Sequence, residues 1–71
     1  MFILTQNRKV MVNTDNLTRI WRHNSDILAY TSGEDETATI LARYDEPIVC
    51  ELAFEELIRA ILEQKTLHEF R

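Results

Sequence analysis

Few side chains in this 71-residue sequence are of the types that perform chemistry. Cys50 is the only thiol, and a thiol is reactive only where its surroundings lower its pKa. His23 and His68 are the only histidines, and neither stands at a zinc-ligand spacing from Cys50. The sequence therefore predicts no catalytic, cofactor-binding or metal-binding residue. We predict that the protein is not an enzyme.

The acidic segment Glu34-Asp35-Glu36 resembles a metal site in composition only. Calcium loops place their oxygen ligands at alternate positions and end on a distal glutamate, and that spacing is absent. A solvated acidic turn is the prediction for this segment. Gly33 is the only glycine, so the sequence also lacks a glycine-rich phosphate loop.

Basic and aromatic residues in the first third of the chain are of the types that contact nucleic acid. Residues 1–24 carry four basic side chains and one acidic, whereas residues 25–71 carry four basic and eleven acidic, for a net charge of −4. Nucleic-acid-binding domains are usually basic overall, whereas this chain is acidic. Weak binding of nucleic acid by a sheet face is therefore the alternative function rather than the main one. That face would comprise Arg8, Lys9, Arg19, Trp21 and Arg22, with Arg43 and either Tyr30 or Tyr44 beside them.

Composition predicts one small globular domain, with 45% apolar and 28% charged residues. No apolar run approaches the roughly 20 residues that cross a bilayer, and no segment resembles an export signal. Because Cys50 has no partner for a disulfide, we expect a reducing compartment, the cytoplasm.

Short alternating apolar runs in residues 1–44 predict strands joined by short turns, which favour antiparallel pairing. In the third strand both faces mix apolar and charged residues, so a bulge or slip would decide which side is buried. Ala38, Ile40, Ala42 and Tyr44 form the expected core face of the last strand. The expected strands are residues 1–5, 9–13, 17–22, 27–31 and 37–44.

A change to helical spacing follows Asp45-Glu46-Pro47. Asp45 is the expected cap and Pro47 suits the first turn, where no amide donor is missed. The helix should end near Lys65 and leave residues 66–71 as a tail. Its core stripe is expected to contain Cys50, Ala53, Phe54, Leu57, Ile58 and Ile61.

The predicted fold class is α+β. An antiparallel sheet of four or five meander strands occupies residues 1–44, and one C-terminal helix over residues 45–65 packs on one face of it.

Two apolar helix residues, Ile48 and Leu52, project away from the predicted core stripe. They are either ordinary surface residues or part of a partner interface that includes Leu67 and Phe70. A chain of this length has a small core and lacks an internal disulfide, which favours support from a partner subunit. We therefore expect a non-catalytic interaction or regulatory protein that binds itself or another protein.

Residues 5–20, from Thr5-Gln6-Asn7 to Ile20, resemble short uncharacterised proteins of Gram-positive bacteria and their phages. The resemblance implies a strand meander followed by a C-terminal helix, and it implies no activity or site residues. It also implies that Asn13, Asp15 and Asn16 build a tight turn between strands two and three, with a binding role for the same side chains as the alternative. A more distant likeness, in strand rhythm only, to short bacterial flagellar and biofilm regulators leaves a regulatory role open.

Overall fold

A computed structural model describes residues 1–31 and 38–71 and confirms an α+β fold with one C-terminal helix. The predicted acidic turn Glu34-Asp35-Glu36 lies outside the described residues. Within the described ranges, no helix is long and apolar enough to cross a membrane. The elements are β1 (Phe2–Leu4), β2 (Met11–Asn13), β3 (Leu17–His23), β4 (Asp26–Thr31), β5 (Ala38–Arg43), α1 (Pro47–Leu62) and β6 (Leu67–Glu69).

The strands form two sheets of three, so the predicted single sheet of four or five meander strands is not confirmed. In one sheet β1 lies between β2, which is antiparallel to it, and β6, which is parallel. The other sheet is the antiparallel meander β3–β4–β5. A short 3-10 helix, Thr14–Asn16, separates β2 from β3. The Asn13 side chain caps it by accepting a hydrogen bond from the Asp15 amide at 3.0 Å, so these residues act in turn formation.

The expected tail is a strand. The Phe2 amide donates to the Thr66 carbonyl at 2.9 Å, and the Phe70 amide donates to the Leu4 carbonyl at 3.4 Å. Because β6 pairs with the first strand, the two ends of the described chain lie side by side. A strand of three residues is too short to show a period in the sequence, which explains why the prediction missed it.

Helix α1 begins at Pro47 as expected, but its N-cap is Glu46 rather than Asp45, and Glu46 makes no side-chain cap hydrogen bond. At the other end, Gln64 adopts a left-handed φ of 56°. The Gln64 amide bonds the Ile61 carbonyl at 3.1 Å and the Lys65 amide bonds the Ala60 carbonyl at 3.0 Å. This pair of bonds is a Schellman motif, which ends the helix before the predicted Lys65.

The core lies between α1 and the two sheets. From the predicted helix stripe, Cys50 and Leu57 are buried, whereas Ile58 and Ile61 are nearly half exposed. Ala60 is buried instead, so the core-facing side of the helix is rotated away from Ile58 and Ile61. The largest fully buried side chains are Ile3, Ile27, Leu41, Leu57, Thr5 and Cys50.

Bulges change the side-chain alternation in the meander sheet. The pairing of β4 with β5 shifts between Ile27 and Leu28, and both Leu41 and Ala42 are buried, while Ile40 is exposed. The predicted core face of this strand was therefore partly wrong. A second shift, between Leu17 and Arg19 in β3, resolves the ambiguous strand by turning Ile20 inward, opposite buried Ala29.

Candidate interaction surfaces

The outer side of α1 carries an apolar ridge, defined here as Ile48, Val49 and Leu52. Ile48 is 58% exposed and Leu52 is 55% exposed, one helical turn apart. Both therefore project into solvent, as the helical spacing predicted. Further along the same side, Leu62 is 78% exposed, the highest exposure among the large apolar residues described.

The four residues predicted to form a partner interface do not lie on one surface. Phe70 is only 3% exposed and packs in the core, so it was wrongly placed in an exposed patch. It does line a shallow cavity of about 240 Å³ together with Leu52 and Val49. The pairing of β6 with β1 explains the burial, because it brings Phe70 beneath the helix.

Leu67 belongs to a different surface, the outer sheet face, which comprises Phe2, Leu4, Met11 and Leu67. Leu67 pairs with Phe2, and Met11 pairs with Leu4. Paired residues share a side of the sheet, so the four side chains lie together, opposite buried Ile3. Sequence reasoning missed this surface because it treated Leu67 as part of a tail.

A groove of about 700 Å³ adjoins the outer sheet face and was also missed. Phe2, Leu17 and Ile61 contribute to its lining, so it lies where β1, β3 and the end of α1 meet. Ile61, which was predicted to lie in the core stripe of the helix, is 47% exposed and lines this groove.

An aromatic face, defined as Arg19, Trp21, His23 and Tyr30, lies on the outside of the meander sheet. The Trp21 ring lies 5.2 Å from the His23 ring and 6.4 Å from the Tyr30 ring, between centroids. The Arg19 guanidinium lies 4.3 Å from the centre of the Tyr30 ring, a cation–π geometry. Arg19 and Trp21 are therefore brought together as predicted, with Tyr30 rather than Tyr44 beside them.

The other predicted nucleic-acid residues lie elsewhere. Arg22 pairs across the sheet with fully buried Ile27, so it is on the opposite side from Trp21. Arg8 and Lys9 belong to the turn between β1 and β2, in the other sheet, where Arg8 lies 3.9 Å from Glu69. The predicted basic face was therefore wrong in its extent, because a strand places alternate residues on opposite sides.

Arg43 is held in an ion pair on the meander sheet. Its Nε donates to the Asp26 carboxylate at 2.9 Å. This hydrogen bond, and then the charge of Asp26, raise the pKa of Arg43. The Asp26 carboxylate therefore neutralises part of the positive charge of Arg43, although the Arg43 side chain stays largely exposed.

The residues most able to do chemistry are enclosed or placed apart. Cys50 is fully buried, and that burial raises the pKa of its thiol, which favours the unreactive form. His68 packs edge-on against Phe70 at 4.9 Å, and burial lowers its pKa. Within residues 1–31 and 38–71, no three His, Cys, Asp or Glu side chains lie close enough to hold a metal ion.

Comparisons with protein-family models, curated protein sequences and solved structures found no match to this chain. The resemblance of residues 5–20 to short Gram-positive and phage proteins therefore stays a prediction. Function is inferred from the surfaces themselves.

Proposed function

We propose that this protein is a small, non-catalytic cytoplasmic protein that acts, in a regulatory role, through protein–protein contacts, beginning with association of its own copies. The observation that carries the proposal is its exposed apolar surface. In the described part of the chain, twelve large apolar side chains are at least 42% exposed, against nine hydrophobic residues in the core. Soluble monomers rarely expose large contiguous apolar patches. Here Ile48, Val49 and Leu52 are neighbours on the helix, and Phe2, Met11 and Leu67 lie together on the outer sheet face.

Association would also compensate for the small size of the core by adding buried apolar surface. A chain of about 60 to 70 residues buries only about 60% of the surface its unfolded form exposes. Cys50 forms no disulfide, so covalent bridging does not supplement this core. Covering the ridge of α1 with a second copy would remove Ile48 and Leu52 from water and stabilise the folded state by mass action.

The state of Cys50 supports the cytoplasmic and non-catalytic parts of the proposal. An unpaired thiol persists most readily in a reducing compartment. Its burial and raised pKa disfavour the thiolate, the form that would attack a substrate.

Sedimentation equilibrium over a wide concentration range tests self-association. We expect the mean mass to rise above 8.4 kDa with concentration. Leu52→Glu should shift this rise to higher concentration, because it places a charge on the ridge. Ile40→Glu is the matched control, since Ile40 is a half-exposed apolar residue on the meander sheet. A mass that stays at the monomer value at all concentrations, for both the parent and Leu52→Glu, contradicts the proposal.

The aromatic face supports a second candidate function, weak binding of single-stranded nucleic acid. Bases stack on exposed rings with little sequence preference, and arginine adds charge attraction to phosphate. Trp21 is nearly half exposed, and Tyr30 and Arg19 lie beside it on one sheet face. The acidic net charge and the separation of Arg8, Lys9 and Arg22 from this face make it the weaker candidate.

Quenching of the fluorescence of Trp21, the only tryptophan, reports this binding directly. Titration with oligothymidylate at low salt should quench it, and added salt should reverse the effect. Arg19→Gln should weaken the binding, whereas Lys9→Gln, in the turn between β1 and β2, should leave it nearly unchanged. An unaltered spectrum at low salt rules out this candidate.

A further inference from the structure

Four exposed residues of α1 form a stripe with a self-complementary order. The seam, defined as Leu52, Glu55, Arg59 and Leu62, has spacings of three, four and three residues, which place its members on one side of a helix. All four are exposed. The seam lies opposite Leu57, which faces the core, so a second molecule can reach it without disturbing the fold.

Reading the seam in both directions shows its symmetry. From one end it is apolar, acidic, basic and apolar, and from the other it is apolar, basic, acidic and apolar. Two copies laid antiparallel therefore place Leu52 opposite Leu62 of the second copy and Glu55 opposite Arg59 of the second copy. Both pairings have their two-fold axis at the level of Leu57, so one arrangement satisfies all four.

We propose that this seam is the surface through which two copies of the chain associate, as an antiparallel helix pair with two-fold symmetry. The inference rests on the proposed self-association and specifies its geometry. Cyclic two-fold dimers are the commonest oligomers, and their interfaces use the same patch on both subunits. The seam meets that condition, since each of its residues meets a complementary one.

The charges select the antiparallel orientation. In a parallel pair, Glu55 would face Glu55 and Arg59 would face Arg59, and like charges across a helical interface are unfavourable. The antiparallel pair replaces both repulsions with attractions. The ion pairs lie between the leucines, where loss of hydration offsets much of their attraction. Their role is therefore to set direction and register, while the leucines supply the apolar contact.

The seam is short, and this limits the strength of the contact. From Leu52 to Leu62 the helix rises by about 15 Å. In this arrangement Glu63 lies at the level of Glu51 of the second copy, and these like charges oppose association. Stable interfaces bury roughly 1,200–2,000 Å² in total, so we expect a weak, readily reversible dimer.

Charge reversal tests the register. Arg59→Glu makes both charged positions of the seam acidic, and Glu55→Arg makes both basic. Each variant alone should associate about tenfold more weakly than the parent chain, measured by sedimentation equilibrium. Lys9→Glu, a charge reversal in the turn between β1 and β2, should leave the association unchanged within about twofold.

Mixing the two variants gives the decisive result. In a heterodimer of Arg59→Glu with Glu55→Arg, every charged contact of the seam is again an attraction, so association should return to about the parental strength. No effect within a single helix produces this recovery, because neither chain changes on mixing. Thermal unfolding at low concentration checks that each variant is folded.

The outcomes separate the seam from the proposed function. If the parent chain associates but neither reversal weakens it, or mixing fails to restore it, the seam is wrong and self-association stands. If the parent chain is a monomer at every concentration, both the seam and the proposed self-association are wrong. Loss of association in Leu67→Glu with no effect of the reversals transfers the interface to the outer sheet face and also overturns the seam.

Discussion

At the residue scale, burial decides what Cys50 and His68 can do. The Cys50 side chain is fully enclosed between the helix and the sheets, where it acts as a small hydrophobic residue. His68 lies partly enclosed against the edge of Phe70, where a positive charge is poorly solvated. Both residues therefore contribute to stability in their neutral forms.

Replacing the buried thiol with a hydroxyl tests its role. Cys50→Ser should lower the free energy of unfolding by about 1–3 kcal/mol, because the hydroxyl would be buried at a site where the described residues provide it with no hydrogen-bond partner. Cys50→Ala removes the sulfur without adding a polar group and is the matched control. Chemical denaturation measures both, and a serine variant as stable as the parent contradicts full burial.

The lowered pKa of His68 predicts how stability depends on pH. The unfolded chain takes up a proton near the ordinary pKa of 6.5, whereas the folded chain resists it until the pH is lower. Stability should therefore be complete above pH 6.5 and decline as the pH falls through and below that value. Burial is the main cause, Glu56 opposes it and Lys65 adds to it.

Denaturation at constant ionic strength across this pH range tests the assignment. His68→Gln should flatten the dependence relative to the parent chain. A dependence that survives in His68→Gln would show that another group is responsible.

At the element scale, β6 completes the fold. It pairs with β1, supplies Phe70 to the core and follows directly from the Schellman motif that ends α1. A segment of this length contributes to stability only through these tertiary contacts, since short strands have little stability of their own.

Truncation of Phe70 tests whether β6 is a structural element. Phe70→Ala should cost about 3–5 kcal/mol, a large part of the stability of a chain of this length. Phe70→Leu keeps most of the volume and should cost about 1.5 kcal/mol or less. Val10→Ala, at an exposed position outside the helix, should change stability by about 0.5 kcal/mol or less. If Phe70→Ala and Phe70→Leu cost no more than Val10→Ala, the segment is a tail rather than a structural strand.

Gln64 occupies a position that favours glycine. Its φ of 56° is unfavourable for a residue with a Cβ atom, and the Schellman hydrogen bonds require it. Gln64→Gly should raise the free energy of unfolding by about 0.5 kcal/mol, the relief of strain less the added freedom of the unfolded chain. Gln64→Ala keeps the strain and should not gain. Destabilisation by glycine contradicts the left-handed conformation.

The elements with a clear hydrophobic period were predictable from the sequence. Helix α1 was placed by the stripe through Cys50 and Leu57, and the meander β3–β4–β5 by short alternating runs. The division into two sheets was not predictable, because it depends on the 3-10 helix and on a strand of three residues at the far end. The error at Phe70 follows directly, since only the pairing of β6 with β1 buries it.

The candidate surfaces were predictable to a similar degree. Ile48 and Leu52 were identified because helical spacing alone places them away from the core. Arg22 was assigned to the wrong face because it directly follows Trp21 in β3, and consecutive residues of a strand lie on opposite sides of the sheet. The outer sheet face and the groove form only because β1 pairs with β2 and β6, so they could not be predicted from the sequence.

At the scale of the whole molecule, one α-helix and two small sheets in the described ranges enclose a core and leave much apolar surface exposed. The acidic charge of the chain is concentrated after residue 24. The exposed side of α1 carries Leu52 and Leu62, with Glu55 and Arg59 between them. Association through this side would cover Leu52 and Leu62 while leaving the aromatic face and the outer sheet face open to other partners.

A dilution series of amide NMR spectra tests this account most directly. As the concentration rises, we expect signals of Leu52, Glu55, Arg59 and Leu62 to shift together along one binding curve, while those of Trp21 and Ile40 stay in place. Spectra that do not change with concentration, or changes confined to the aromatic face or the outer sheet face, would contradict association through the helix.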